Sequence, residues 1–190
     1  MSVDPGPDVD CVVDASVGIK LFLVEPLSDR ADALFARLVA TPPARFYVPD
    51  LFFIECANIL WKYTRRYGYP PGAVQQNVID LARLPLQSAS TADLAEEALA
   101  LAMSHEFTAC DAAYVALSRR SSLPLVTADE PLVHRLAGTG LDVRWLGAWP
   151  EPCELRTTKL GKEHEGRKSP SCLSCPFAPF VFQTVPSTPG

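Results

Sequence analysis

Four short apolar runs, CVVD (11–14), FYVP (46–49), LPLVTAD (123–129) and LDVRWL (141–146), are separated by longer stretches whose apolar residues recur at helical spacing. Short runs rich in β-branched residues suit strands buried on both faces, and parallel strands need crossover connections, usually helical. The alternation predicts an α/β domain, a three-layer α/β/α sandwich around a mainly parallel sheet of about five strands. PLQSA (85–89) is a weaker strand candidate. Helices are expected in DRADALFARLVA before the Pro42-Pro43 break, in LFFIECANILWKYTRRY, in GAVQQNVIDLARL, in TADLAEEALALAM, in CDAAYVALSRR and in PLVHRLA. Asp50 is placed to N-cap the second of these and Gly68 to close it.

From Pro150 onward the prolines multiply and no period persists, so 1–149 is expected to form one domain and 150–190 a disordered tail. Within that tail, Phe177, Phe180, Val181 and Phe182 form a short apolar cluster suited to docking. Cys153, His164, Cys172 and Cys175 include one C-x-x-C pair, but the spacing of the other two is irregular for a zinc site. A length of 190 residues with 48% hydrophobic residues suits a single core. The net charge of -5 supplies no general basic field for nucleic acid or membrane, so any nucleic-acid contact must be local or metal-mediated. MSVDPGPDVD lacks the basic and apolar regions of a secretory signal, and no apolar run reaches the ~18 residues of a membrane span. A cytoplasmic protein with reduced cysteines is expected, with Cys11, Cys56 and Cys110 packing as small hydrophobes.

Four acids stand out by position. Asp14 ends the first strand, Asp129 ends LVTAD, Glu55 lies one turn into the long helix, and Asp111 opens CDAAYVALSRR. Singly, each has an ordinary explanation. Asp14 suits a turn, Glu55 a solvated helix face, Asp111 a capping pattern with Thr108, and Asp129 a cap for the next helix. Jointly, all four fall at the carboxyl edge of a parallel sheet, where such folds place their ligand crevice. Carboxylates gathered there repel one another and must take up protons or a cation. A hard divalent ion such as Mg²⁺ or Mn²⁺ prefers such oxygen ligands.

The strings VVDAS, IECANIL, CDAAYVALSRR and LVTADEPLV, in this order and spacing, resemble the PIN-domain family, most closely the small ribonuclease toxins of the VapC type. The likeness covers about the first 147 residues. It implies that Asp14, Glu55, Asp111 and Asp129 form an acidic Mg²⁺ or Mn²⁺ site. Asp14, Asp111 and Asp129 would be ligands, with Glu55 binding a second ion or orienting the attacking water. Ser16 and Thr127 match supporting hydroxyl positions, and Asn58 matches a polar neighbour. The implied reaction is hydrolysis of RNA phosphodiester bonds, leaving a 5′-phosphate and a 3′-hydroxyl. The implied partners are a VapB-like antitoxin and a second copy of the chain in a homodimer, with no membrane. FYVPDLFF and WKYTRRYGY offer apolar surface for such interfaces, although core packing explains much of it equally well.

Metal-assisted hydrolysis needs no catalytic histidine, and His105 and His134 are read as non-catalytic. Lys62, Arg65, Arg66, Arg119 and Arg120 are candidate phosphate contacts, although cations in a last helical turn also suit the helix dipole. Two other readings compete. An aspartyl-phosphate phosphatase pairs its first Asp with another two residues on, where Ser16 stands here. A degenerate PIN-like domain that only binds protein would not need all four acids.

Overall fold

The computed structural model describes residues 10–149. Cys11–Val13 forms β1, Phe46–Pro49 β2, Gln87–Ala89 β3, Leu125–Thr127 β4 and Val143–Trp145 β5. They make one all-parallel sheet in the order β3-β2-β1-β4-β5, flanked by helices. The expected α/β/α architecture with five strands is therefore observed, including the weak strand inside PLQSA. Every residue of β1 and β4 is buried, which explains why both read as continuous apolar runs. Edge strand β3 is mostly exposed, and its polar QSA carries little signal.

The chain leaves β1 toward β2 on one side and returns to its other side with β4. Right-handed crossovers in opposite directions put helices on opposite faces. The carboxyl ends of β1 and β4 thus flank the switch point of the sheet, where a crevice forms.

After β1 comes a single helical turn, α1 (Ala15–Gly18), continued by a short 3₁₀ turn. α2 (Ser28–Phe35) gives way to a 3₁₀ turn over Ala36–Val39, so the expected helix before Pro42 is split in two. α3 (Leu51–Tyr67) ends at Gly68, whose positive φ of 68° and N–H bond to the Thr64 carbonyl fulfil the expected C-cap. α4 (Pro71–Ala82), α5 (Thr91–His105), α6 (Ala109–Ser121) and α7 (Glu130–Leu136) complete the set.

Asp50 departs from its expected role. Its backbone is already helical and its side chain makes no cap bond. The carboxylate instead accepts from the N–H of Thr91 at 3.0 Å and from the Thr91 hydroxyl. The start of α3 is thereby tied to the start of α5.

Two close approaches set the acid-bearing elements. A Cβ on Gly18 would lie 2.5 Å from Cζ of Phe52, so the missing side chain lets α1 rest on α3. α6 is buried from Ala112 to Ser118, with four small residues that allow it to sit tightly between the sheet and α5. Cys11 and Cys56 are buried as expected, but Cys110 is exposed, in the first turn of α6 before its buried stretch begins at Ala112.

Candidate active site

Asp14 is the N-cap of α1, and its Oδ1 accepts from the Ser16 N–H at 3.2 Å. Its Oδ2 accepts from the Thr127 hydroxyl at 2.5 Å and the Ser16 hydroxyl at 3.0 Å. Thr127 is fully buried and its Oγ1 also accepts from the Asp129 N–H at 3.0 Å. Ser16 Oγ accepts from the Ala128 N–H at 3.0 Å. The two hydroxyls therefore do double duty: each donates its proton to Asp14 and accepts from the backbone leading to Asp129. The network fixes the turn after β4 against the turn after β1. Burial pushes the Asp14 carboxyl above the usual range; the Thr127 and Ser16 bonds pull it down, and the charge of Asp111 pushes it up again.

Glu55 is half-buried on α3 and accepts from the Tyr114 hydroxyl of α6 at 2.5 Å. Burial raises its pKa, the Tyr114 bond lowers it, and the charges of Asp14 and Asp111 raise it. Asp14, Glu55 and Asp111 thus share one electrostatic environment. The same acids act on nearby groups. Burial, then Asp14 and Glu55, raise the Cys56 thiol, while burial, then Glu55 and Asp111, raise the Cys110 thiol.

Asp111 sits in the first turn of α6. Thr108, the N-cap, accepts from the Asp111 N–H at 3.1 Å and donates to Asp111 Oδ2 at 2.7 Å. Asp129 N-caps α7, accepting from the Leu132 N–H at 3.1 Å. Both capping roles foreseen for these acids are present. The capping carboxylates also line an open cleft of about 310 Å³, together with Glu106, Phe107, Thr108, Pro131, Leu132 and Arg135.

Asp14, Glu55 and Asp111 are therefore joined by their fields, and Asp111 and Asp129 by the cleft. Among the described residues, no three His, Cys, Asp or Glu side chains stand close enough together to hold an ion. The donor chemistry itself, carboxylate oxygen without sulfur or imidazole, suits a hard divalent cation.

Asn58 is exposed on α3, one turn beyond Glu55. Lys62, Arg65 and Arg66 are exposed farther along α3, roughly 10–16 Å from Glu55 at the helical rise. Arg65 lies over the Trp61 ring at 5.2 Å and Arg66 over the Tyr67 ring at 5.6 Å. Arg119 and Arg120 both pair with Glu97 of α5, at 3.3 and 2.9 Å, at the end of α6 away from Asp111. His105 ends α5, and exposed His134 faces Glu130 at 3.5 Å. Cys153, His164, Cys172 and Cys175 lie outside the described residues, as does the expected tail. No pattern in the sequence pointed to the Tyr114 bond or to Phe107 and Arg135 at the cleft, because each depends on contacts between elements distant in the chain.

The PIN-domain model matches residues 11–137, two thirds of the chain and every element from β1 to α7. The chain belongs to the PIN-domain family. Within this family it is of the VapC type: it is 32% identical over 126 residues to Ribonuclease VapC3 of Pyrobaculum aerophilum, an alignment spanning 65% of this chain and 92% of that one. Solved structures agree on the fold. A toxin-antitoxin complex from Klebsiella pneumoniae contains a chain similar at TM-score 0.51 and 18% identity, covering 71% of this PIN-domain chain and 96% of its own. PAE2754 from Pyrobaculum aerophilum gives 0.55 and 21%, covering 76% and 89%. VapC20 of Mycobacterium tuberculosis, a Sarcin-Ricin loop cleaving toxin, gives 0.52 and 18%, covering 70% and 96%. Among the described residues, no helix is long and apolar enough to cross a membrane.

Proposed function

We propose that this PIN-domain chain is a metal-dependent endoribonuclease, the toxin of a type II toxin–antitoxin pair. The reading rests chiefly on the placement of Asp14, Glu55 and Asp111 together at the carboxyl edge of the sheet, near enough for the charge of Asp111 to act on both Asp14 and Glu55. It is supported by the similarity to Ribonuclease VapC3. Burying Asp14 and half-burying Glu55 beside a further acid disfavours ionisation, and a cation offsets that cost.

Because no three acids among the described residues stand close enough together to hold an ion directly, Asp14, Asp111 and Asp129 would share Mg²⁺ or Mn²⁺ through one or two direct carboxylate bonds, with water completing the shell and Glu55 beside them. When bound, the ion neutralises the non-bridging phosphate oxygens and lowers the pKa of water. The protein groups do the rest. Thr127 and Ser16 fix the Asp14 carboxylate, so it needs no reorientation during the reaction. Tyr114 occupies Oε2 of Glu55, leaving Oε1 to accept the proton of the attacking water. The raised proton affinity of Glu55 favours that role. Asp111 and Asp129, held by their own helix starts, line the cleft where the scissile strand lies.

The partners follow the same reading. One chain similar to this one comes from a toxin-antitoxin complex, which supports a VapB-like antitoxin here. Ile54, Trp61 and Tyr67 leave α3 with exposed apolar side chains suited to an antitoxin or to a second copy in a homodimer. Cleavage of total RNA by the purified chain tests the activity. Mg²⁺-dependent cleavage is expected, lost with EDTA and reduced on the order of 10³-fold in Asp14→Asn. Undiminished cleavage by Asp14→Asn would overturn the site. Wild-type expression without the partner is expected to arrest growth while Asp14→Asn does not.

A further inference from the structure

Arg135 lines the same cleft as Asp111 and Asp129, although none of the five cations singled out in the sequence does. Its Nη1 donates to the carbonyl oxygen of Glu106, the residue with positive φ that ends α5. That bond satisfies a carbonyl the helix end would otherwise leave open and pins the guanidinium beside the loop between α5 and α6. Among the described residues Arg135 makes no ion pair, despite three carboxylates, Glu106, Asp111 and Asp129, lining the same cleft. A guanidinium anchored on one edge keeps further N–H donors for an incoming anion. Phe107, half-buried on the same loop and tilted by 36° against the His105 ring at 6.2 Å between centroids, adds an aromatic side chain to the cleft lining.

We propose that Arg135 and Phe107 together seat one nucleotide of the RNA strand adjacent to the scissile phosphate. Arg135 takes the phosphate and Phe107 stacks on the base. The volume of about 310 Å³ is at the lower end of ligand clefts, matched to a single nucleotide rather than a duplex. Single strands are held by this pairing of a cation with an aromatic platform, which accepts any base. The surrounding charge makes this one arginine necessary. Glu106, Asp111 and Asp129 make the cleft acidic, so RNA enters only where a cation and the metal site act together. The inference rests on the nuclease reading above and deepens it by naming the strand form that the cleft takes.

Single-turnover cleavage of a fluorescein-labelled 12-nucleotide single-stranded RNA, with excess full-length protein and Mg²⁺, separates binding from chemistry. Arg135→Gln keeps a donor for the Glu106 carbonyl but removes the charge. It is expected to raise the half-saturating protein concentration about tenfold, with the maximal rate nearly unchanged. It should also flatten the dependence of log affinity on log salt by about 0.7. Arg135→Lys should restore most of the salt slope. Phe107→Ala should weaken half-saturation about fivefold or more without moving the slope, and Phe107→Trp should recover it. Unfolding temperatures identify any variant that fails to fold, and the lysine and tryptophan variants then carry the test. If wild-type protein cleaves while Arg135→Gln retains both affinity and slope, this inference falls and the nuclease reading stands. If wild-type protein does not cleave, both fall.

Discussion

The acidic edge of the sheet has a floor and a rim, and the two are built differently. The floor consists of Asp14 and Glu55, one buried and one half-buried, both with carboxyl pKa values raised by burial. The rim consists of Asp111 and Asp129, nearer solvent, each at the start of a helix and each supplying or receiving a cap bond. At the rim, helix capping alone explains an acid. On the floor it does not. An uncharged Ser or Asn caps as well as Asp14 and would avoid the cost of a buried charge, and nothing about α3 requires an acid at Glu55. The floor therefore carries the clearer signal for the proposed site, and at the rim helix capping and the proposed share in holding the ion fall on the same side chains.

Short of changing an acid, the largest effect is expected from taking the floor apart. Thr127→Val keeps the volume but removes the hydroxyl that donates to Asp14 and accepts from the Asp129 N–H. Both partners are left short inside the protein. The expected loss is ~2–3 kcal/mol of stability, read from urea midpoints, with cleavage reduced roughly 10–100-fold. An unchanged midpoint would mean that Asp14 is held by Ser16 alone.

A smaller and reversible effect distinguishes the two layers by pH. The folded pKa values of Asp14 and Glu55 are raised, so the folded protein binds more protons than the unfolded chain above the ordinary carboxylate range. Ionising the floor then subtracts stability as pH rises through the raised folded values. In the proposed site a divalent ion would take the place of the protons. Mg²⁺ at ~10 times its dissociation constant should stabilise the protein by about 1.4 kcal/mol, and the gain should be larger near about pH 8 than near about pH 5. Melting curves with Mg²⁺ and with EDTA read this directly. An equal gain at both pH values, or the same gain in Asp14→Asn, would place the ion away from the floor.

How much of this was legible in the sequence follows from where each contact comes from. β1 and β4 were readable because burial on both faces leaves an uninterrupted apolar run, and the placement of the four acids was readable because they stand at or within about a turn of element ends on one edge, their part in metal binding being the proposal. Contacts between distant elements were not readable. Asp50 looked like a cap because it precedes a helix, but Thr91, far along the chain, takes its carboxylate. Arg119 and Arg120 looked like free cations because Glu97, on another helix, has no local signature. Cys110 looked buried because it borders an apolar helix, yet burial starts only at Ala112. Arg135 carries no signal in the sequence, because only the fold brings α7 beside the end of α5.

The smallest effect falls on the rim, and it decides whether floor and rim are separate. Thr108 Oγ1 accepts from the Asp111 N–H and donates to the Asp111 carboxylate, so Thr108→Ala uncaps α6 and releases the acid together. Loss of such a cap costs about 1 kcal/mol, and Thr108→Ser should return most of it. Because Asp111 keeps its place on the helix and its exposure to the cleft, cleavage should fall only severalfold, well short of the loss in Thr127→Val. Urea midpoints and single-turnover rates on the two variants, measured side by side, give the ratio. If Thr108→Ala cost as much activity as Thr127→Val, the capped rim would be as tightly built into the chemistry as the buried floor, and the division between them would have to be abandoned.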